Sequence, residues 1–223
     1  MPTVIEKLRK RVSGEEFDYQ TLMDSLAGYA SPRDKISLLL RHGTIIRIKK
    51  GLYVFGDTAR RKPPCYGLLA NLIYGPSYIS LEYALQYHGL IPERVNVITS
   101  VTTGRSRRFD TPLGRFDYRM IPLHAFRTGM DLVELPDGCS FLVAIAEKAL
   151  ADKLLCERSS NIRGIREMQR HLYENLRIDP ASLSRLNANR LDEIADNCRN
   201  KRVSLLASLI RKLQKDRKGV LYA

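Results

Sequence analysis

Apolar positions in the first 55 residues fall into three helix-like stripes followed by two strand-like runs. Val4, Ile5, Leu8 and Val12 recur at helical spacing over residues 2–12, with Lys7, Arg9, Lys10 and Arg11 elsewhere on the turn. Leu22, Met23 and Leu26 form a second stripe, opened by Asp18 as a plausible cap and stopped before Gly28. In the third, Ile36, Leu39 and Leu40 share a face. There Ser31 suits the N-cap, Pro32 the first helical position and Asp34 the first turn, and Gly43 is placed to end the helix in the left-handed conformation. The runs 44–49 and 52–55 are rich in β-branched and aromatic residues and meet at Lys50-Gly51, a hairpin signal. Helices followed by a basic hairpin are the plan of a winged helix-turn-helix. One helix enters a major groove, and the hairpin tip reaches a phosphate or the minor groove. On that plan Arg33, Lys35, Ser37 and Arg41 face the groove, Arg47, Lys49 and Lys50 touch DNA from the wing, and Ile46 and Ile48 join the core.

The pattern changes after residue 56. Residues 57–64 carry Arg60-Arg61-Lys62 and then Pro63-Pro64, which break any helix and read as a linker. Short apolar helices are expected at 65–74 and at 81–88, the second with Ser80 as cap and Gly89 just beyond. Residues 95–102 are strand-like, and 106–110 and 115–121 form a hairpin around Thr111-Pro112-Leu113-Gly114. From about residue 141 the chain reads as helical, with segments at 142–156, 162–176, after Asp179-Pro180, at 190–198 and at 203–218. Arg211, Lys212, Lys215, Arg217 and Lys218 crowd the tail of the last. The expected fold is therefore α/β (α+β). A winged helix-turn-helix with its linker occupies residues 1–62. A larger mixed domain with a small sheet and a helical C-terminal part occupies residues 63–223.

Charge sharpens this outline. The chain of 223 residues has a net charge of +13 and a pI near 9.8, which point to a polyanionic partner. Residues 1–62 hold 13 Lys+Arg against 7 Asp+Glu, and residues 63–223 hold 24 against 17, so the excess is shared as +6 and +7. A basic surface that only aids solubility is the plainer alternative. No apolar run reaches membrane-spanning length, and residues 1–6 lack the layout of a signal peptide, so no membrane partner and a cytoplasmic location are expected. Cys65, Cys139, Cys156 and Cys198 are widely spaced, with no C-x-x-C pair, and reduced thiols are expected.

Catalytic signatures do not emerge. There is no G-x-S-x-G, P-loop or G-x-G-x-x-G, and His42, His88, His124 and His171 lack metal-ligand spacing. No catalytic residue, metal or cofactor is expected. A metal-dependent nuclease is the enzymatic rival, through Glu147-Lys148 and Asp152-Lys153. Residues adjacent in sequence point about 100° apart on a helix, so these pairs are read instead as the polar side of a helix packed through Leu142, Ile145, Leu150 and Leu154. Arg105, Arg107, Arg108, Arg115 and Arg119 lie in the hairpin region, where strand pairing can gather several into a patch for nucleic acid or an acidic protein. A solvated face is the alternative.

Residues 78–121 carry Tyr78-Ile79-Ser80-Leu81-Glu82-Tyr83-Ala84-Leu85, Tyr87-His88-Gly89-Leu90-Ile91-Pro92-Glu93, Val97-Ile98-Thr99-Ser100-Val101-Thr102-Thr103 and Arg107-Arg108-Phe109-Asp110-Thr111-Pro112-Leu113-Gly114. These segments resemble the abortive-infection AbiEi antitoxin family. So do Ala146-Glu147-Lys148-Ala149-Leu150-Ala151-Asp152 and Asn175-Leu176-Arg177-Ile178-Asp179. The resemblance covers nearly the whole chain and rests on the order and spacing of the motifs together. It implies the antitoxin of a type IV toxin–antitoxin pair, whose partner is a nucleotidyltransferase-like toxin. The N-terminal domain would repress the operon by binding inverted repeats in its promoter, and the C-terminal domain would supply antitoxicity, either by binding the toxin directly or by antagonising it without a stable complex. Two further readings stand beside it: a winged-helix transcription regulator with a ligand-sensing second domain, and the nuclease.

Overall fold

The computed structural model describes residues 3–157 and 161–221, with side chains of the last helix through Asp216. Arg217 and Lys218 of the basic tail therefore lie outside the described side chains, and Pro2 outside the described residues.

Helix α1 (Val4–Arg9) is closed by a capping box between Thr3 and Glu6. Strand β1 (Glu16–Asp18) leads into α2 (Tyr19–Ser25), where the Asp18 carboxylate accepts from the Thr21 amide at 2.7 Å. Helix α3 spans Pro32–Arg41. Ser31 occupies its N-cap position, but its hydroxyl caps nothing, and Asp34 in the first turn faces the helix dipole instead. Gly43 ends the helix at φ +66. Strands β2 (Ile45–Lys49) and β3 (Leu52–Phe55) form the expected hairpin, and β1 adds to its other edge in the order β1-β3-β2.

Val4, Leu8, Leu22, Leu26, Ile36, Leu39, Ile45 and Phe55 make one core. Ile48, Leu52 and Val54, from the same hairpin, belong to the larger core of the rest of the chain. The hairpin is thus shared between the two. Residues 57–65 are held as well. The buried Arg9 forms a two-bond pair with Glu15 at 2.9 and 2.6 Å and also donates to the Ala59 carbonyl at 2.8 Å. The Cys65 amide donates to Glu16 at 2.5 Å, and Lys62 pairs with Asp137 at 3.1 Å.

A second sheet dominates the larger part. After α4 (Tyr66–Ile73) come β4 (Ser77–Ile79), α5 (Leu81–Tyr87), β5 (Ile98–Thr102), β6 (Arg107–Thr111), β7 (Gly114–Met120), the short α6 (Leu123–Phe126), β8 (Met130–Glu134), β9 (Ser140–Ala144) and α7 (Ala146–Cys156). The six strands run β6-β7-β5-β4-β9-β8, parallel at β5–β7 and β4–β9 and antiparallel elsewhere. Helicity from residue 141 needs correction: β9 occupies 140–144, and the helix starts at Ala146. Ser-Phe-Leu-Val-Ala is an almost unbroken apolar run, which periodicity cannot assign to strand or helix. The remainder is helical: α8 (Ile165–Arg170), a π-helical turn (His171–Asn175), α9 (Pro180–Ser184), α10 (Ala188–Cys198) and α11 (Lys201–Leu221). Asp179 caps α9 through the Ser182 amide at 3.0 Å.

Helix α7 lies at the centre of this core. Glu147, Lys148 and Asp152, expected on a solvated side, are buried with Leu150 and Leu154. Lys148 and Asp152 sit one turn apart and pair with no exposure at all. The other Asp152 oxygen accepts from Ser80 at 2.8 Å and Tyr78 at 3.0 Å. Ser80 stands at the N-cap of α5, yet its hydroxyl serves Asp152 rather than the helix. Gly129, at φ +77, leaves the room this needs, since a Cβ there would lie 2.7 Å from the Lys148 Cβ. The thiols also differ from expectation. Cys65 and Cys139 are joined in a disulfide across 74 residues, Cα atoms 6.4 Å apart, while Cys156 and Cys198 are free.

Candidate nucleic-acid interface and the adjoining groove

Arg33, Ser37 and Arg41 recur every four residues along α3 and are exposed on one stripe. The Ser37 hydroxyl donates to the Arg33 carbonyl at 3.0 Å, leaving its oxygen free to accept. Lys35 is not on this stripe. It follows Arg33 by two residues, about 200° around the helix, and its ammonium lies 5.8 Å from the centre of the Tyr29 ring. Lys7 approaches the same ring at 5.6 Å. Arg47 and Lys50 project from the hairpin and are exposed. Lys49 turns the other way and donates to the Ile73 carbonyl at 2.6 Å, where burial lowers its pKa. Among the described residues, none of Arg33, Lys35, Arg41, Arg47 and Lys50 pairs with a carboxylate.

The five hairpin-region arginines do not form one patch. Arg107 points to the α4 side of the sheet and lies 5.4 Å from the Tyr74 ring centre. Arg105 is exposed in the turn before β6. On the opposite face the register sets Arg108 against Asp117 and Asp110 against Arg115, and both cross-strand pairs close at 2.8 Å. One rung further on, Arg119 falls beside Ser106, whose hydroxyl accepts from the Met120 amide at 2.9 Å. Among the described residues, no carboxylate pairs with Arg119 there.

This face floors a groove of about 870 Å³. Its other wall is the start of α5 and the end of α7. There Lys153 bridges Glu82 and Glu157, each at 2.8 Å. Burial pulls the Lys153 pKa down, but the two carboxylates outweigh it and the net shift is upward. His171, in the π-helical turn, brings its Nε2 to 3.0 Å from Glu157, an ion pair when the ring is protonated. Burial alone would raise Glu157, but His171 and Lys153 together carry it down to about 2. Burial, with Asp152 nearby, pushes the Cys156 thiol up to about 12, so it is not a ready nucleophile. Burial also raises Asp152 against the pull of Lys148, Ser80 and Tyr78.

The i,i+4 spacing of Lys148 and Asp152 was a local signal for their pairing, masked by the adjacent Glu147-Lys148 and Asp152-Lys153. The Glu157–His171 contact joins separate elements and had none. Among the described residues, no three His, Cys, Asp or Glu side chains gather as a metal site, and no helix is long and apolar enough to cross a membrane. Comparison of the chain with protein-family models and with curated proteins finds no match.

Proposed function

We propose that the chain is a DNA-binding antitoxin that represses its own operon and neutralises a nucleotidyltransferase-like toxin in the cytoplasm, without chemistry of its own. The observation that carries the DNA-binding half is the α3 stripe: Arg33, Ser37 and Arg41 exposed side by side, free of carboxylates, next to a basic hairpin. In this reading residues 1–62 are the winged helix-turn-helix, α3 enters the major groove at promoter inverted repeats, and Arg47 and Lys50 meet the backbone beside it. Lys35, with Lys7 and Tyr29, serves a flanking phosphate rather than a base. The antitoxin half rests on the resemblance of residues 78–121, Ala146–Asp152 and Asn175–Asp179 to the AbiEi family, and residues 63–223 would carry it.

Mobility shifts on the DNA upstream of the gene test the first half. Arg33→Ala and Arg41→Ala should each cost roughly 1–3 kcal/mol and relax sequence preference. Lys35→Ala should weaken all sequences alike. Unchanged affinity in the Arg33→Ala/Arg41→Ala double variant would remove α3 from the interface. Co-expression with a neighbouring nucleotidyltransferase gene tests the second half: growth should be rescued by the wild type and by that double variant. A ligand-sensing regulator is the second reading, favoured by the groove beside Arg119.

A further inference from the structure

We propose that the groove over β6 and β7 binds a nucleoside monophosphate, with its phosphate held by Arg119 and Ser106 and its base and sugar against the apolar wall. The inference is independent of the operator-binding reading, which concerns α3 and the hairpin.

The charge pattern of the groove singles out one position. Arg108 is matched by Asp117, Arg115 by Asp110, and Lys153 by Glu82 and Glu157. Arg119 lines the same groove on the same face of β7 and has no carboxylate partner among the described residues. The cross-strand ladder thus has two completed rungs and a third with a guanidinium and a hydroxyl but no anion. A guanidinium offers planar, forked donors that suit phosphate oxygens. In a partly enclosed groove its attraction exceeds that of the same group in open water.

The remaining surfaces narrow the ligand. A volume of about 870 Å³ lies within the usual range of small-molecule sites, roughly 300–1,000 Å³. Leu81, Val95, Val97 and Leu155 supply apolar lining for a flat, uncharged body. Across the groove, Glu82 and Glu157 can accept from hydroxyl or amino groups of that body. The same carboxylates, with Asp117, disfavour a ligand of higher charge. One unmatched cation facing three carboxylates suits one phosphate rather than a triphosphate.

Isothermal titration of the full chain with AMP, GMP, CMP and UMP, each beside inorganic phosphate and ATP, tests the assignment. At least one monophosphate should bind saturably, more tightly than inorganic phosphate and no less tightly than ATP. Arg119 is exposed, so Arg119→Ala should leave the circular dichroism spectrum unchanged while weakening that binding about tenfold or more, the loss of a charge-assisted hydrogen bond. Arg119→Lys should recover part of it, and Arg127→Ala, outside the groove, should change nothing. The proposal is overturned if no monophosphate binds, if inorganic phosphate binds equally well, or if folded Arg119→Ala binds like the wild type. It is also overturned if a single-stranded oligonucleotide binds through Arg119 while the monophosphates do not. None of these outcomes alters the expectation for Arg33 and Arg41 on operator DNA.

Discussion

The Lys49 ammonium donates to the backbone carbonyl of Ile73 at 2.6 Å, joining the β2–β3 hairpin to the end of α4. A lysine beside a hairpin turn would ordinarily be read as a phosphate contact. Here its neighbours Ile48 and Leu52 are already buried in the larger core, and Lys49 satisfies a carbonyl at the junction. Lys49→Ala should therefore lower thermal stability, on the order of 1–3 kcal/mol for a stranded acceptor, and leave the salt dependence of DNA binding nearly intact. Lys50→Ala should do the reverse, flattening the salt slope by about one unit with little effect on melting. Equal salt slopes in Lys50→Ala and the wild type would take the hairpin tip off the DNA.

The Lys148–Asp152 pair is wholly buried, and its two members are not worth equal and separate amounts. Removing one leaves an uncompensated charge in the core, at a cost of roughly 3–5 kcal/mol. Asp152→Ala additionally frees the hydroxyls of Tyr78 and Ser80. Replacing both partners, as in Lys148→Met/Asp152→Leu, should be clearly milder than either single change, because no charge is then left behind. Chemical denaturation of the four proteins checks this. A double variant less stable than both singles would mean that the pair contributes more than its desolvation costs.

Much of the architecture was legible where local chemistry and tertiary placement agree. The α2 cap at Asp18, the hairpin at Lys50-Gly51 and the β6–β7 hairpin all rest on short-range signals that the packing leaves undisturbed. Ser31 and Ser80 were legible only as positions. Both stand where a cap should, but Ser31 makes no cap bond and Ser80 is drawn to a buried carboxylate 72 residues away. The β8–β9 hairpin was hidden because Phe141–Ala144 is an unbroken apolar run, so the alternating burial of β9 has no counterpart in residue polarity. At the candidate interface, composition located the arginines but could not say that Arg108 and Arg115 spend their charge on Asp117 and Asp110 while Arg119 does not. That distinction depends on cross-strand register, which no spacing within one strand encodes.

The Cys65–Cys139 bond closes a loop with a sequence separation of 74, at the seam where Glu16 accepts from the Cys65 amide and Lys62 pairs with Asp137. A loop of that size should stabilise the fold by about 4 kcal/mol, mainly by restricting the unfolded chain. Dithiothreitol should therefore lower the melting temperature of the wild type and leave Cys65→Ser/Cys139→Ser unaffected at its already reduced value. A wild-type melting temperature insensitive to reductant would mean that the two thiols are not joined in solution.

Glu157 supplies a test of the groove wall by pH. Its carboxyl lies at about 2 in the folded chain against an ordinary 4.5, because the pull of His171 and Lys153 outweighs its burial. A depressed acid stabilises the fold above its unfolded value, and that contribution is lost as pH falls through the window from about 4.5 to about 2. Asp152 is shifted the other way by burial, so acidification relieves part of its cost and would blur a measurement on the wild type alone. Comparison with Glu157→Gln removes that contribution, since Asp152 is common to both proteins. At neutral pH the variant should melt below the wild type, since Lys153 loses one of its two carboxylates. The gap should narrow steadily below pH 4.5 and close near pH 2. Lys153 stays charged throughout this window, so the closing reports protonation of Glu157 itself. A gap that stays constant down to the acid limit would mean that Glu157 is not held by charge, and that the variant's loss comes from altered packing at the end of α7.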